Sequence, residues 1–242
     1  MAAWSLVSSA VAAGANSGTT PSISTTTADV IVIVTCRYLG SVSITDSASN
    51  TWTALTELAG GTDTASKTKA FYVITPTTSG THTFTGTWTA AFGSMVVMVF
   101  TQGSAPTFVA EVGTAYSGTG STVQAGSIGA NNELVVEGFG YDGTNPNGTL
   151  SIDGAFSTIV QQNYVAGTNE GSASAWKQVT GAVNPTWSWT GAATAGAIAC
   201  SFTGTGAGGR TTKNTRAWPL GTEIGMGWRQ ECGLYVPREM AA

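Results

Sequence analysis

Charge is the scarcest property of this sequence. Nine Lys and Arg, thirteen Asp and Glu and one His are spread over 242 residues, so that 9% of the chain is charged, against roughly a quarter in an ordinary globular protein. The single histidine, His82, leaves at most one candidate base for a Ser-His-Asp or Cys-His arrangement. It also excludes, by number, metal centres built from several His and Cys ligands. A net charge of −4 argues against general nucleic-acid binding, which needs many phosphate-neutralising cations. Cysteine is thin as well. Cys36, Cys200 and Cys232 are odd in number, far apart and free of any C-x-x-C spacing, so they read as neither a disulfide framework nor a zinc site. They are expected to be reduced thiols, with Cys36 and Cys200 as small apolar packers.

Long apolar runs are missing too. No window reaches the roughly 18 apolar residues of a membrane span, and Met1–Ala10 lacks the basic start and continuous apolar core of a signal peptide. The expectation is a chain made and kept in a cytosol until something else carries it out. No segment shows a clear 3.6-residue apolar period, so helix content should be low. What fills the gap is Gly, Thr, Ser and Ala, the composition of a β-rich protein that keeps its surface wet with hydroxyls and turns.

The stretch Val30–Cys36, V-I-V-I-V-T-C, is an unbroken β-branched run of the kind that forms a strand buried on both faces. About 104 residues later, Leu134–Phe139 repeats the theme as L-V-V-E-G-F. The surroundings match in order: Ser22-Ile23 with Ser127-Ile128, Val42–Asp46 with Leu150–Asp153, Trp52 with Phe156, Ala70-Phe71 with Ala175-Trp176, His82–Trp88 with Thr186–Trp189, and Val96–Thr101 with Ala197–Thr203. Each copy reads as seven or eight short strands with turn signals between them; residues 13–21 read as a loop, and 82–88 and 94–101 as separate strands. The fold class is therefore all-β: two tandem jelly-roll or Ig-like β-sandwich domains from an internal duplication, at residues 1–103 and 104–205.

Residues 206–242 have another character. Gly206-Ala207-Gly208-Gly209 is a flexible joint. Beyond it lie Arg210, Lys213, Arg216, Arg229 and Arg238 with Glu223, Glu231 and Glu239, so five cations against three anions give +2, and four against ten leave the preceding body at −6. Ile224, Met226, Trp228, Cys232, Leu234 and Val236 fall on alternate positions, the period of one apolar strand edge. This is expected to be an extended arm that packs on a partner through Arg216, Trp218, Ile224, Met226, Trp228, Arg229, Leu234 and Val236; Trp and Arg are the types enriched at interface hot spots.

Other candidate chemistry is sparse. His82 reads as a packed or surface polar residue in an alternating strand with Phe84 and Trp88. Asp46 and Asp153 sit in similar turns, where a carboxylate bonds the local backbone. The Asp46–Asn50 and Asp142–Asn147 stretches hold enough oxygens to raise calcium, without the acidic spacing of a calcium loop. Asn147-Gly148-Thr149 fits a glycosylation triplet and reads as a turn without secretion. The aromatic pairs Phe84/Trp88 and Trp187/Trp189 read as core, with sugar stacking as the competing use. No cofactor and no metal is expected.

The phrasing T-D-S-A-S-N-T-W-T at residues 45–53, followed by an aromatic strand and by S-G-T-H-T-F-T at 79–85, resembles tandem β-sandwich structural proteins of tailed bacteriophage virions, of the decoration, head-fibre and tail-associated types. Similar wording occurs in some bacterial surface proteins. The resemblance covers residues 1–205 at the level of pattern and leaves the tail unmatched. It implies a non-enzymatic, multi-copy virion protein assembled in the host cytoplasm. Capsid decoration or cement is the expected role, with other virion proteins as partners, homo-oligomerisation, and no nucleic acid or membrane. The alternative is a glycan- or receptor-binding adhesin or tail-fibre module that recognises a host surface glycan.

Overall fold

A computed structural model describes residues 3–38, 40–59, 66–114, 119–142, 150–162, 170–204, 228–231 and 234–237. The chain divides into two compact units, Met1–Ala207 and Gly208–Ala242. Every regular element among the described residues is a β-strand.

The first unit holds two antiparallel sheets of seven strands each. The first sheet contains β1 (Ser5–Thr19), β2 (Val30–Tyr38), β3 (Val42–Asp46), β4 (Thr53–Ala54), β5 (Leu58–Ala59), β6 (Ser66–Ile74) and β7 (Phe84–Thr101). The second contains β8 (Pro106–Thr114), β9 (Thr119–Gln124), β10 (Glu133–Asp142), β11 (Ser151–Ile152), β12 (Val160–Gln162), β13 (Glu170–Val179) and β14 (Thr186–Gly204). Strand order in the first is β1-β7-β2-β6-β4, with β3 on β7 and β5 on β6; in the second it is β11-β14-β10-β13-β12, with β8 and β9 both on β14. Position by position, β8 and β9 together stand where β1 stands, β10 where β2 stands, and β11 where β3 stands.

The β-branched run of β2 is buried on both faces because each face meets a different core. Val30, Val32 and Val34 join Met98 and Phe100 of β7, Leu134 and Val136 of β10, and Ile198 and Phe202 of β14 in one layer between the sheets. Ile31 and Ile33 point the other way, into the curl of their own sheet with Phe71, Phe84, Met95 and Val97. The second sheet has its own inner core of Val135, Phe139, Tyr141, Trp187 and Trp189, floored by Ala173, Ala175, Ala197 and Ala199. Alternation with period 2 sends successive side chains of one strand to the two cores.

Close approach of the sheets depends on a missing side chain. A Cβ on Gly138 would sit 2.7 and 2.8 Å from the methyls of Val34. Aromatic contacts close the remainder of the layer: Tyr72 stacks on Phe108 at 4.8 Å and meets Phe202 edge-on, and Phe100 meets Trp176 edge-on at 5.5 Å. Polar contacts tie its margins, with Trp4 N–H donating to Gln178 Oε1 at 3.0 Å and Thr56 donating through N–H and hydroxyl to the Glu111 carboxylate.

The curl comes from strands longer than the sequence pattern suggests. Residues 13–19, expected as loop, continue β1, and the strands expected at 82–88 and 94–101 are one strand, β7. The C-terminal half of β7 pairs β2 from Gly93 to Phe100, while its N-terminal half pairs β3 from Phe84 to Trp88. Between them the register against β1 jumps from Ala15↔Phe92 to Ser17↔Thr87. This irregularity bends the strand. The fully buried Trp88 ring occupies the bend, where a Cβ on Gly93 would lie 2.5 Å from a ring atom, and Trp88 Nε1 donates to Gly14 O at 2.8 Å. In β14 the register against β9 jumps in the same way, between Ser188 and Ala193, directly around Trp189. Small and hydroxylated residues in these segments blurred the strand signal because a bulged, bent strand needs little bulk on its outer side.

The second unit contains a two-stranded antiparallel ladder of β15 (Trp228–Glu231) and β16 (Leu234–Pro237). Trp228 pairs with Pro237 and Arg229 with Val236. In this ladder even-numbered positions of one strand pair with odd-numbered positions of the other.

Candidate functional site

The histidine expected to be packed or surface polar is the centre of a closed polar network. His82 is fully buried and stacks on Phe84 with ring centroids 4.3 Å apart. Its Nε2 lies 2.8 Å from Asp46 Oδ1, and its Nδ1 lies 2.9 Å from Thr25 Oγ1. A hydroxyl, an imidazole and a carboxylate in line have the connectivity of a nucleophile–base–acid relay, but each member is spent on structure. Thr25 is fully buried; its hydroxyl donates to Ser79 O at 3.2 Å and accepts the Ser79 N–H at 3.0 Å. Asp46 accepts from Ala48 N, Asn50 N, Asn50 Nδ2 and Trp52 Nε1 besides His82. The network clips the 46–50 turn and the 23–25 segment to the start of β7.

Burial pushes the Asp46 carboxyl up, but the hydrogen bonds from His82, from Trp52 and from the backbone of Ala48 and Asn50 outweigh it and hold the group below its ordinary value. With its oxygens meeting five donor groups, Asp46 performs the turn chemistry expected of it. Asp153 does related work: its Oδ1 accepts the Thr186 N–H at 2.8 Å. The 143–149 stretch, including Asn147, lies outside the described residues. Among the described residues, no group of three or more His, Cys, Asp or Glu is placed to hold a metal ion.

The acid that the sequence pattern passed over is Glu137. It is the fourth letter of L-V-V-E-G-F, in the middle of β10, and it is fully buried between Ala175 of β13 and Ala199 of β14. It stands where the first sheet has Ile33. Neither carboxyl oxygen has a hydrogen-bond partner, and the indole Nε1 of Trp187 is likewise unpartnered. Burial pushes this carboxyl up to about 8, and the neighbouring Trp187 indole offsets only part of that. A charged letter inside an otherwise apolar run was the available signal.

The aromatic pairs are core. Phe84, Trp88 and Trp187 are at most 1% exposed and Trp189 is 5% exposed. Phe139 lies within 5.3 Å of both Trp187 and Trp189, ring centroid to ring centroid. None of these rings presents a face for a sugar. Among the described residues of the first unit, Tyr38 and Val109 are exposed large apolar side chains.

Cys36 and Cys200 are both buried, but Cys36 is more than an apolar packer. It donates to Glu170 Oε2 at 3.0 Å across the inter-sheet layer. A thiol is a weak donor that fits where only a small residue can, and a fully buried carboxylate supplies the acceptor. Cys200 sits in the apolar part of that layer, where burial raises its pKa strongly. Cys232 lies outside the described residues, as do Arg216, Trp218, Ile224 and Met226 of the expected partner-binding set. Of that set, Trp228 and Arg229 lie on β15, and Leu234 and Val236 on β16.

Comparison with protein-family models, with curated proteins and with solved structures finds no match for this chain.

Proposed function

We propose that this chain is a non-enzymatic structural protein of a tailed-phage virion, a capsid decoration or cement protein. In this reading the two-sheet body is displayed, and the segment after the glycine joint holds it to neighbouring subunits or the shell. The observation that carries the proposal is the contrast between a body whose aromatics and single histidine are committed to its interior and a C-terminal segment rich in Arg and Trp. The body's large aromatics fill three cores, its one histidine and Asp46 are locked in a closed network, and Arg37, with 0% side-chain exposure, is paired with Glu57 at 2.5 Å. Five of the nine cations in the chain, and Trp218 and Trp228, fall in the last 37 residues. A separate unit rich in Arg and Trp, joined to a sparsely charged and net acidic body, is what a holdfast requires. Placing many such units on a symmetric particle multiplies a modest affinity.

Truncation after Gly209 is the test. The shortened chain should remain folded and soluble and should drop out of particles purified from producing cells, as read by particle mass and by imaging. Incorporation of the truncated chain at full occupancy overturns the proposal. The adhesin alternative has lost its aromatic platforms to the cores, and no described feature favours it over the structural role.

A further inference from the structure

Each sheet carries an acid immediately before the apolar run of its central strand, Asp29 before β2 and Glu133 at the head of β10. The two are treated differently. Asp29 Oδ2 accepts from Thr101 Oγ1, Gln102 N and Gly103 N at 2.9, 2.6 and 2.8 Å, closing the end of the first sheet. Glu133 is 7% exposed, and its Oε2 is buried without any hydrogen-bond partner. It lines a cavity of about 250 Å³ with Val109, Val112, Ile128, Ala182 and Ser201. Ser201 is fully buried, and its hydroxyl also lacks a partner. Val109 is a large apolar residue left 45% exposed.

A buried carboxylate oxygen and a buried hydroxyl without partners cost free energy unless a guest satisfies them. The body's own cations are committed elsewhere. Arg37 and Lys67 pair with Glu57, Lys69 lies over Phe71, and Lys177 donates to Gly154 O and lies over Phe156. The cavity is below the roughly 300–1,000 Å³ of drug-sized sites, yet holds the space of several water molecules at about 30 Å³ each. Apart from Glu133, Ser201 and Ser127, its lining residues are aliphatic or glycine.

We propose that this cavity is a binding site for a primary alkylammonium group. The N–H donors would meet Glu133 Oε2 and Ser201 Oγ, and the aliphatic stem would lie against Val109, Val112 and Ile128. The source of such a group is a small free amine or a lysine side chain presented by another molecule. The site is independent of the holdfast role assigned to the C-terminal segment and stands or falls separately from it.

Amide chemical-shift titration of the full chain with n-butylammonium, n-butanol and Nα-acetyl-lysine-N-methylamide tests it. n-Butylammonium should shift the Gly129, Ala130 and Ser201 amides saturably, and n-butanol should not. Glu133→Gln should weaken binding about tenfold or more, the worth of a charge-assisted hydrogen bond. Ala182→Leu, which adds bulk at the cavity wall while leaving Glu133 in place, should weaken binding with the far-UV spectrum unchanged. Response to the lysine derivative marks a side chain as an acceptable source; response to the free amine alone marks a small molecule. No saturable shift with either amine, an equal response to n-butanol, or undiminished binding by Glu133→Gln overturns the proposal.

Discussion

Replacing Glu137 by glutamine keeps the shape of a fully buried side chain and deletes its titration. In the unfolded chain this carboxyl ionises near its ordinary value of 4.5, whereas in the folded protein it holds its proton to about 8. Folding therefore takes up a proton wherever the pH lies between those values. The sign follows: the contribution of Glu137 to stability is fully present below about pH 4.5 and is lost progressively as pH rises to about 8. Three and a half pH units at about 1.4 kcal/mol each amount to about 5 kcal/mol, of which about 3 kcal/mol is already gone at pH 7. That is a large part of the roughly 5–15 kcal/mol that holds an ordinary domain together. Urea unfolding followed by tryptophan fluorescence, repeated from about pH 4.5 to pH 9, reads the effect directly. The wild type should lose stability across this range, while Glu137→Gln should be nearly flat. The variant should exceed the wild type by several kcal/mol at the alkaline end and match it at the acidic end. A flat wild-type profile, or a variant that keeps the wild-type slope, refutes the assignment of the slope to this carboxyl.

Three other outcomes follow from the same structure. Asp46 behaves oppositely: its folded pKa is held below the ordinary 3.8, so its stabilisation is present above about pH 4 and is lost as pH falls through the folded value. Asp46→Ala should cost on the order of 3 kcal/mol at pH 7, from lost charge-assisted hydrogen bonds, and should flatten the acid limb of the stability profile; an unchanged acid limb counts against the network. Gly138→Ala should destabilise the protein by about 1–3 kcal/mol through overpacking against Val34, and adding Val34→Ala should recover part of that in a double-mutant cycle; simple additivity would show that the sheets do not meet there. Tryptophan emission should not respond at Trp88, Trp187 or Trp189 to added polysaccharide, a point that single Trp→Phe variants can assign; a response lost with any of these three would revive the adhesin alternative.

Much of the architecture was legible from patterning alone. A β-branched run with no polar alternation requires burial on both faces, and Val30–Val34 supplies one set of side chains to each of two cores. The matched pairs Ser22-Ile23 and Ser127-Ile128 become matched isolated bridges, Ile23 to His82 and Ile128 to Val183. The long bent strands were not legible, because Gly93 and its small neighbours carry no strand signal until Trp88 is seen filling the bend. In the C-terminal segment period 2 reports strand, and the described residues there form β15 and β16.

Composition and periodicity by themselves determined that this protein is all-β and poor in acid–base groups, since those properties depend only on which residues are present and how they alternate. Tertiary structure alone decided which of the few polar groups are satisfied. His82, Asp46 and Thr25 are 21 to 57 residues apart in the chain and close into one network, whereas Glu137 and Glu133 lie four residues apart on one strand and find no protein partner for a buried oxygen. Hydrogen bonding and desolvation act through distances of a few ångströms, and those distances are set only when the sheets curl and pack.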